Sequence, residues 1–454
     1  MKEEWKNISE ESLKNLEEIM EDEMMTVKEI REKLDRTEKD KIRQSLQNCR
    51  YVLEHDPLLK GAIQRNDLTC QIDITKEVPW KRRDVHMTDT DMNNLTYYLE
   101  ENYGLVSDRA ISKTVDIVAN DHSFNPIIDH LESLKWDGIP RIANVLTHFF
   151  GVEHNAYSEE VMKMHMLAAI QRLYNPGCKY DIMLCLVGGQ GTGKSTFFNY
   201  LAMQDEWFTD GLSRLDDKKV YEVLQGHWII EMAEMDAVAS AKSIEETKAF
   251  ISRQKDNYRI PYERRSEDRL RQCVFCGTSN DMAFLPLDRT GNRRFAPVRT
   301  NPDKAEVRIY ENEKESRQYI TQMWAEAMEI YREGNFALTF TAEMEEYVKT
   351  LQKEFMPEDT KAGMIQSFLD DYDGNYICTA ILYQKVLHGN GIPQKWVSKE
   401  IGDILENSIV GWSKHGNHRF GGELGTQRSW KRDCPKQSTD GFKPVYEQEE
   451  IPFL

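Results

Sequence analysis

Residues Asp181–Ala202 read DIMLCLVGGQGTGKSTFFNYLA. Ile182–Val187 is an apolar run of strand length, and Gly188-Gly189-Gln190-Gly191-Thr192-Gly193-Lys194-Ser195 ends it abruptly. Thr196–Ala202 then has the spacing of an amphipathic helix. Strand, G-x-x-x-x-G-K-S loop and helix, in that order, form the setting in which a glycine-rich turn holds phosphate. The glycines let the backbone curl until successive N–H groups point inward, and the positive end of the following helix adds to that field. On this reading Gly188–Thr196 cradles a nucleoside triphosphate. Lys194 reaches the β- and γ-phosphates, and Ser195 offers its hydroxyl to Mg²⁺. A glycine-rich turn with a chance lysine is the plain alternative, and the flanking strand and helix argue against it. The core is therefore expected to be α/β.

Downstream, His227–Met232 (HWIIEM) is apolar and β-prone and leads into Ala233-Glu234-Met235-Asp236. Such a site needs one carboxylate for the metal's water shell and one to orient the attacking water. Glu231, Glu234 and Asp236 compete for these roles. Glu234 is preferred, because it falls where the strand meets the loop. Glu231 reaches the same face only if the strand bulges or the loop begins early. Cys273–Phe275 opens another apolar strand that runs on to Gly277-Thr278-Ser279-Asn280. Asn280 is expected to hydrogen-bond the water or the γ-phosphate. In Asp288–Phe295 (DRTGNRRF), Arg293 and Arg294 stand on a tight turn that Phe295 would rigidify. Either could cross a subunit boundary as an arginine finger, a device worth about 10³–10⁵ in rate in other nucleotide hydrolases.

Two stretches combine positive charge with rings. Gln254–Gln272 (QKDNYRIPYERRSEDRLRQ) interleaves Lys255, Arg259, Arg264, Arg265, Arg269 and Arg271 with Tyr258 and Tyr262. That mixture suits a loop contacting single-stranded nucleic acid. Asp256, Glu263, Glu267 and Asp268 dilute it, so a salt-bridged surface loop competes. Near the C-terminus, helices over Thr379–Leu387 and Pro393–Asn407 precede a hairpin-like stretch, Val410–Arg432, together suggesting a small winged-helix-like module. Its hairpin carries Lys414, Arg419, Arg428, Lys431 and Arg432, opposed only by Glu423. His415 and His418 lack a third ligand nearby, so metal is not expected there.

The 454 residues suggest two or three domains, and the formal charge of −18 is concentrated in Met1–Asp40 and in acidic surface helices. Net charge is a whole-chain average and does not exclude DNA, because binding depends on where the basic residues cluster. Eight scattered cysteines give no disulfide framework, and Cys273 and Cys276 lie in an apolar strand without a second pair. No signal peptide and no membrane-length apolar run is read, so a cytoplasmic location is expected. The expected division is a mostly helical region over 1–130 and a nucleotide domain over 131–335. A helix and linker over 336–361, the winged-helix-like module over 362–435 and an acidic tail over 436–454 complete it. Within these, Asn48–Leu53 reads as the end of a helix and Thr69–Ile74 as a strand. Asp89–Tyr103, Ser107–Asn120, Tyr157–Tyr174, Lys304–Arg332 and Glu343–Phe355 read as helices. Met162, Met164 and Met166 are read as core.

The pieces SLKWDGIPRI, NPGCKYDIMLCLVGGQGTGKSTF, HWIIEMAEMD, RQKDNYRIPYERR, QCVFCGTSND and DRTGNRRF, in this order, resemble the virulence-associated protein E family of phages, prophages and pathogenicity islands. Members are grouped with superfamily 3 helicases and phage primase-helicases. The likeness spans roughly Lys41–Arg432 and is strongest over Leu131–Phe295. It implies an AAA+-like P-loop ATPase that hydrolyses ATP with Mg²⁺ and assembles as a ring, expected as a hexamer, around single-stranded or forked DNA. It implies Glu234 as the metal and water carboxylate, Asn280 as sensor, and Arg293 or Arg294 as a finger acting on a neighbour's nucleotide. It also puts Asp256–Arg265 where that group carries its DNA-contacting hairpin. A primase or another replication protein is a further expected partner. Larger relatives carry a primase domain, but Met1–His130 shows no catalytic acidic cluster or zinc ribbon to match one. Two competing readings are a nucleotide-switched interaction protein that interferes with phage or host factors and a small-molecule kinase.

Overall fold

A computed structural model of the chain describes residues 25–212, 220–233, 235, 241–258, 266–287 and 292–434. The chain divides into two compact units. One takes Met1–Met235, Glu246–Asn280 and Val298–Thr341, and the other takes Asp236–Glu245, Asp281–Pro297 and Ala342–Leu454.

The first unit begins with a small helical layer. Helix α1 (Val27–Glu32) opens with a capping box in which Thr26 and Glu29 satisfy each other's backbone N–H groups. Helix α2 (Leu46–His55) starts at the Ser45 cap, so Asn48–Leu53 is the middle of a helix and not its end. Strand β1 (Ile63–Asn66) pairs antiparallel with β2 (Gln71–Ile74), which shortens the strand expected over Thr69–Ile74. Helices α3 (Asp89–Tyr103) and α4 (Asp108–Asp121) fall where the periodicity puts them. Val52, Leu95, Leu99, Ile111 and Val115 share one apolar cluster beneath them. Helices α5 (Pro126–Ser133) and α6 (Val145–Phe150) lead on to α7 (Ala156–Tyr174). Met162, Met164 and Met166 on α7 are fully buried.

The organising element is a five-stranded sheet of order β4-β5-β8-β3-β9. Its members are β3 (Met183–Val187), β4 (Phe208–Thr209), β5 (Ile229–Met232), β8 (Val274–Ser279) and β9 (Phe295–Arg299). The β4–β5, β5–β8 and β8–β3 pairs are parallel. Every residue of β3, β5 and β8 is buried, so these strands show no alternation and are apolar apart from Glu231 and the Thr278-Ser279 end of β8. Helix α8 (Lys194–Leu201) follows β3, and a short helix α9 (Val220–Leu224) precedes β5. Helix α10 (Ala241–Ile251) follows β5. Helix α11 (Glu313–Glu333) packs on both α7 and α8. The helix expected over Lys304–Arg332 is thus shorter: a 3₁₀ turn occupies Pro302–Lys304, and the helix starts only after the Asn312 cap.

Tryptophans lock these layers. Trp228, just before β5, and Trp324, on α11, are fully buried with ring centroids 4.4 Å apart. The Trp228 indole N–H donates to Ala169 on α7 (3.1 Å) and that of Trp324 to Leu201 on α8 (2.8 Å). Buried indoles need such partners, and here the partners are the ends and sides of helices that the sheet must hold. Arg172 of α7, only 1 % exposed, donates to the Cys273 and Tyr180 carbonyls at 2.6 Å each. It binds the entries to β8 and β3 together.

Between α10 and β8, where the residues read as a loop and the family resemblance implied a hairpin, the structure pairs β6 (Lys255–Tyr258) with β7 (Glu267–Leu270). Its base is a buried ion pair, Arg271 Nε to Asp256 Oδ2 at 2.6 Å, and Arg271 also donates to the Phe250 carbonyl.

In the second unit, α12 (Ala342–Lys353) presents Gln352, whose amide donates to the Asn292 and Phe295 carbonyls. Then follow α13 (Thr360–Asp371), β10 (Tyr376–Ile377), α14 (Thr379–Lys385), α15 (Lys395–Asn407), β11 (Trp412–Arg419) and β12 (Thr426–Arg432). The strands form an antiparallel sheet of order β10-β12-β11. Ile365, Leu369, Ile401, Ile404, Trp412 and Trp430 fill the space between the helices and one sheet face. The two helices and hairpin expected here are joined by a third helix, α13, and a third strand, β10.

Candidate nucleotide site

The loop between β3 and α8 has little freedom. A Cβ on Gly188 would lie 2.1 Å from Thr300 Oγ1, and one on Gly193 would lie 2.4 Å from Ile309 Cγ2. Gly193 also caps α8 with φ at +83°, a conformation that glycine adopts without penalty. Both glycines are therefore required by close approach as well as by the turn.

Lys194, 7 % exposed, turns back over this loop. Its Nζ donates to the carbonyls of Gly188 (2.7 Å) and Gly189 (2.8 Å) and to Asn280 Oδ1 (3.1 Å). Burial lowers its pKa, and the nearby Glu231 charge opposes that shift.

Glu231 is fully buried. Its Oε1 accepts hydrogen bonds from Ser195 Oγ (2.7 Å) and Thr278 Oγ1 (2.6 Å), while Oε2 has no hydrogen-bond partner. Burial raises its pKa, and the two hydroxyl donors only partly offset this. No bulge is needed to bring it there, contrary to expectation. The register between β5 and β8 is unbroken from Ile229↔Val274 to Met232↔Gly277. From its place opposite Cys276, the glutamate side chain reaches Thr278 on β8 and Ser195 at the start of α8 with the same oxygen.

Lys194, Ser195, Thr278 and Asn280 line an open cleft of about 510 Å³, together with Asp210, which follows β4, and Glu231 is buried behind Ser195 and Thr278. A buried carboxylate with one unmatched oxygen, beside a serine hydroxyl and a glycine-rich N–H cradle, is a donor set suited to a hard divalent cation and a triphosphate. Thr278 and Asp210 were not singled out from sequence. Thr278 was within sight, two residues before Asn280 on the same strand.

The structure brings together Lys194, Ser195, Glu231 and Asn280. Glu234 and Asp236, and Arg259, Tyr262, Arg264 and Arg265 of the expected DNA loop, lie outside the described residues. Arg293 and Arg294 sit in the turn before β9, flanked by buried Asn292 and Phe295. Lys255 pairs with Asp268 at 2.5 Å and Lys414 with Glu406 at 2.6 Å, whereas Arg428 and Lys431 are exposed. Arg432 is committed inward: its guanidinium donates to the Leu369 and Tyr372 carbonyls and lies 4.7 Å from the Trp412 ring centroid. Among the described residues no group of three or more metal-ligating side chains is present, and no helix is long and apolar enough to cross a membrane.

Apo structures of the NrS-1 C-terminal region are similar to this chain at 14 % identity. One covers 82 % of this chain and 96 % of its own with a TM-score of 0.46. Another covers 86 % and 100 %, also at 0.46. A comparison with curated proteins found no match. The model of the virulence-associated protein E-like domain matches residues 131–357. That segment is half of the chain and contains Lys194, Ser195, Glu231, Asn280, Arg293 and Arg294. The chain belongs to the virulence-associated protein E-like family.

Proposed function

We propose that this protein is a DNA-stimulated ATPase, a helicase- or translocase-type motor that serves replication of a phage, prophage or pathogenicity island and works as a ring. The observation that carries the reading is the meeting of Ser195, Thr278 and Glu231 beside Lys194 and Asn280 at the mouth of a glycine-rich loop.

Backbone N–H groups of Gly189–Ser195 would hold the phosphates of ATP, and Lys194 would exchange loop carbonyls for phosphate oxygens. Asn280, already bound to Lys194, would be carried with it to the γ-phosphate. Ser195 and Glu231 are the residues that would hold Mg²⁺, which when bound supplies charge neutralisation at the phosphates. Glu234 is assigned to the attacking water, and Arg293 or Arg294 of the next subunit to the charge that develops at the γ-phosphate. Lys255 with residues 259–265, and Lys414, Arg428 and Lys431 of the winged-helix-like module, are assigned to DNA.

The test is ATP turnover with and without single-stranded DNA, on protein whose mass is measured with nucleotide in the same buffer. A ring-sized assembly stimulated by DNA, and inactive as Lys194→Ala, is expected. A monomer with DNA-indifferent turnover would overturn the reading.

A further inference from the structure

We propose that the open face of the β10-β12-β11 sheet is a stacking platform for unpaired bases, built from Tyr376, His418, Phe420 and His415. The inference rests on the DNA reading above and names a site on this chain for the bases of a single strand.

Successive side chains of a strand point to opposite faces. On β12, Trp430 points into the apolar cluster under the helices, so Gln427, Ser429 and Lys431 point the other way. Tyr376 pairs with Lys431 and His418 with Gln427, and directly paired residues share a face. Tyr376 and His418 therefore stand on the face away from the helices, on the two strands flanking β12. Between them β12 offers only Ser429, whose small side chain lets the flanking rings close over it. Ser429 is 1 % exposed although it faces outward.

The rings form a continuous strip. Tyr376 and His418 stack with centroids 4.0 Å apart and planes 10° apart. Phe420 meets His418 edge-on at 4.9 Å, and His415 meets Tyr376 edge-on at 5.0 Å. A bulge between Lys414 and Gly416 aims His415 here, where its Nδ1 lies 3.3 Å from Ser429 Oγ. None of the four rings belongs to the apolar cluster on the other face. They pack on one another and keep ring surface in solvent.

Charge selects the occupant. Of the five lysines and arginines in residues 410–434, Arg432 is turned inward and Lys414 pairs with Glu406, while Arg419, Arg428 and Lys431 are exposed, in a chain whose formal charge is −18. Lys431 is exposed on the ring face, and Arg419 and Arg428 are exposed on the other side of the same ribbon. A cation beside π-faces, on a ribbon with further cations on its other side, matches a polyanion that carries flat bases, and stacking of this kind tolerates any sequence.

The full chain is titrated with a fluorescein-labelled oligothymidylate and with a duplex of equal length, at several salt concentrations. Tyr376→Ala and His418→Ala should each weaken binding to the single strand about tenfold with an unchanged salt slope, and should affect the duplex much less. Tyr376→Phe should bind like the wild type, and DNA-independent ATP turnover should be unaltered in all three. Full affinity in both alanine variants, or an equal loss on duplex, overturns the platform while leaving the motor reading intact. Failure of the wild type itself to bind either DNA overturns both.

Discussion

Replacing Glu231 by glutamine isolates the charge at the centre of the site. The amide keeps the shape, so Ser195 and Thr278 can still donate to its oxygen across the 2.7 and 2.6 Å they now span. Those two bonds become neutral, falling from roughly 1.5–3 to roughly 1 kcal/mol each. The larger loss is the negative charge that would face a divalent cation. Taking about 3–4 kcal/mol for that interaction in the transition state, kcat should fall about 10²–10³-fold. Steady-state ATP hydrolysis at saturating Mg²⁺, with nucleotide affinity measured in parallel, reads this directly. Turnover within threefold of wild type would mean that Glu231 only anchors Ser195 and that the metal-facing acid lies elsewhere. The same variant has a stability signature. Burial raises the Glu231 carboxyl above its ordinary value of 4.5, so the fold favours the protonated form. The associated stability is fully present below that ordinary value and is lost as pH rises through the raised one. The melting temperature of nucleotide-free wild type should therefore fall relative to Glu231→Gln as pH is raised from about 4.5 toward neutrality. Parallel curves would refute the buried charge.

Arg293→Ala and Arg294→Ala should bind nucleotide within a few-fold of wild type, and the one that acts in trans should lose about 10³-fold or more in turnover; normal hydrolysis by both would exclude the finger. Lys431→Ala should lower the log–log salt slope of single-strand binding by about 0.7. Arg432→Ala should leave that slope alone and lower the melting temperature instead, because its guanidinium holds the Leu369 and Tyr372 carbonyls; the reverse pattern would refute the assignment. Arg172→Leu leaves the Cys273 and Tyr180 carbonyls without donors, a cost of about 3 kcal/mol that calorimetric melting should register, and an unshifted melt would show that Arg172 is not a clasp.

The phosphate loop was legible because its requirement is local: close approach at Gly188 and Gly193 demands glycine whatever the rest of the chain does. The buried strands were legible for a similar reason, since strands covered on both faces are apolar over most of their length. The pairing of Ser195 with Glu231 was not. A glutamate inside an apolar run looks out of place until the register with β8 sets it opposite Cys276, within reach of Thr278 two residues further on. From residue pattern alone, without the family resemblance, the β6–β7 hairpin was hidden because KDNY and EDRL are mostly polar and exposed, and the group that pins them, Arg271 on Asp256, pairs residues 15 positions apart. Arg271 and Arg432 also show why a count of basic residues overstates a nucleic-acid surface. Each is held inside by carbonyl oxygens, a property of tertiary packing that spacing does not carry.

Strand β8 has a mechanical consequence. Its six residues, at about 3.3 Å each, make a rod roughly 20 Å long. One end joins the β6–β7 hairpin through Arg271, clamped to Asp256, and the other delivers Thr278 and Asn280 to the cleft. Hydrogen-bonded along both edges and buried throughout, the rod has nowhere to buckle. Tension or thrust applied at the hairpin thus arrives at Thr278 and Asn280 with little slack.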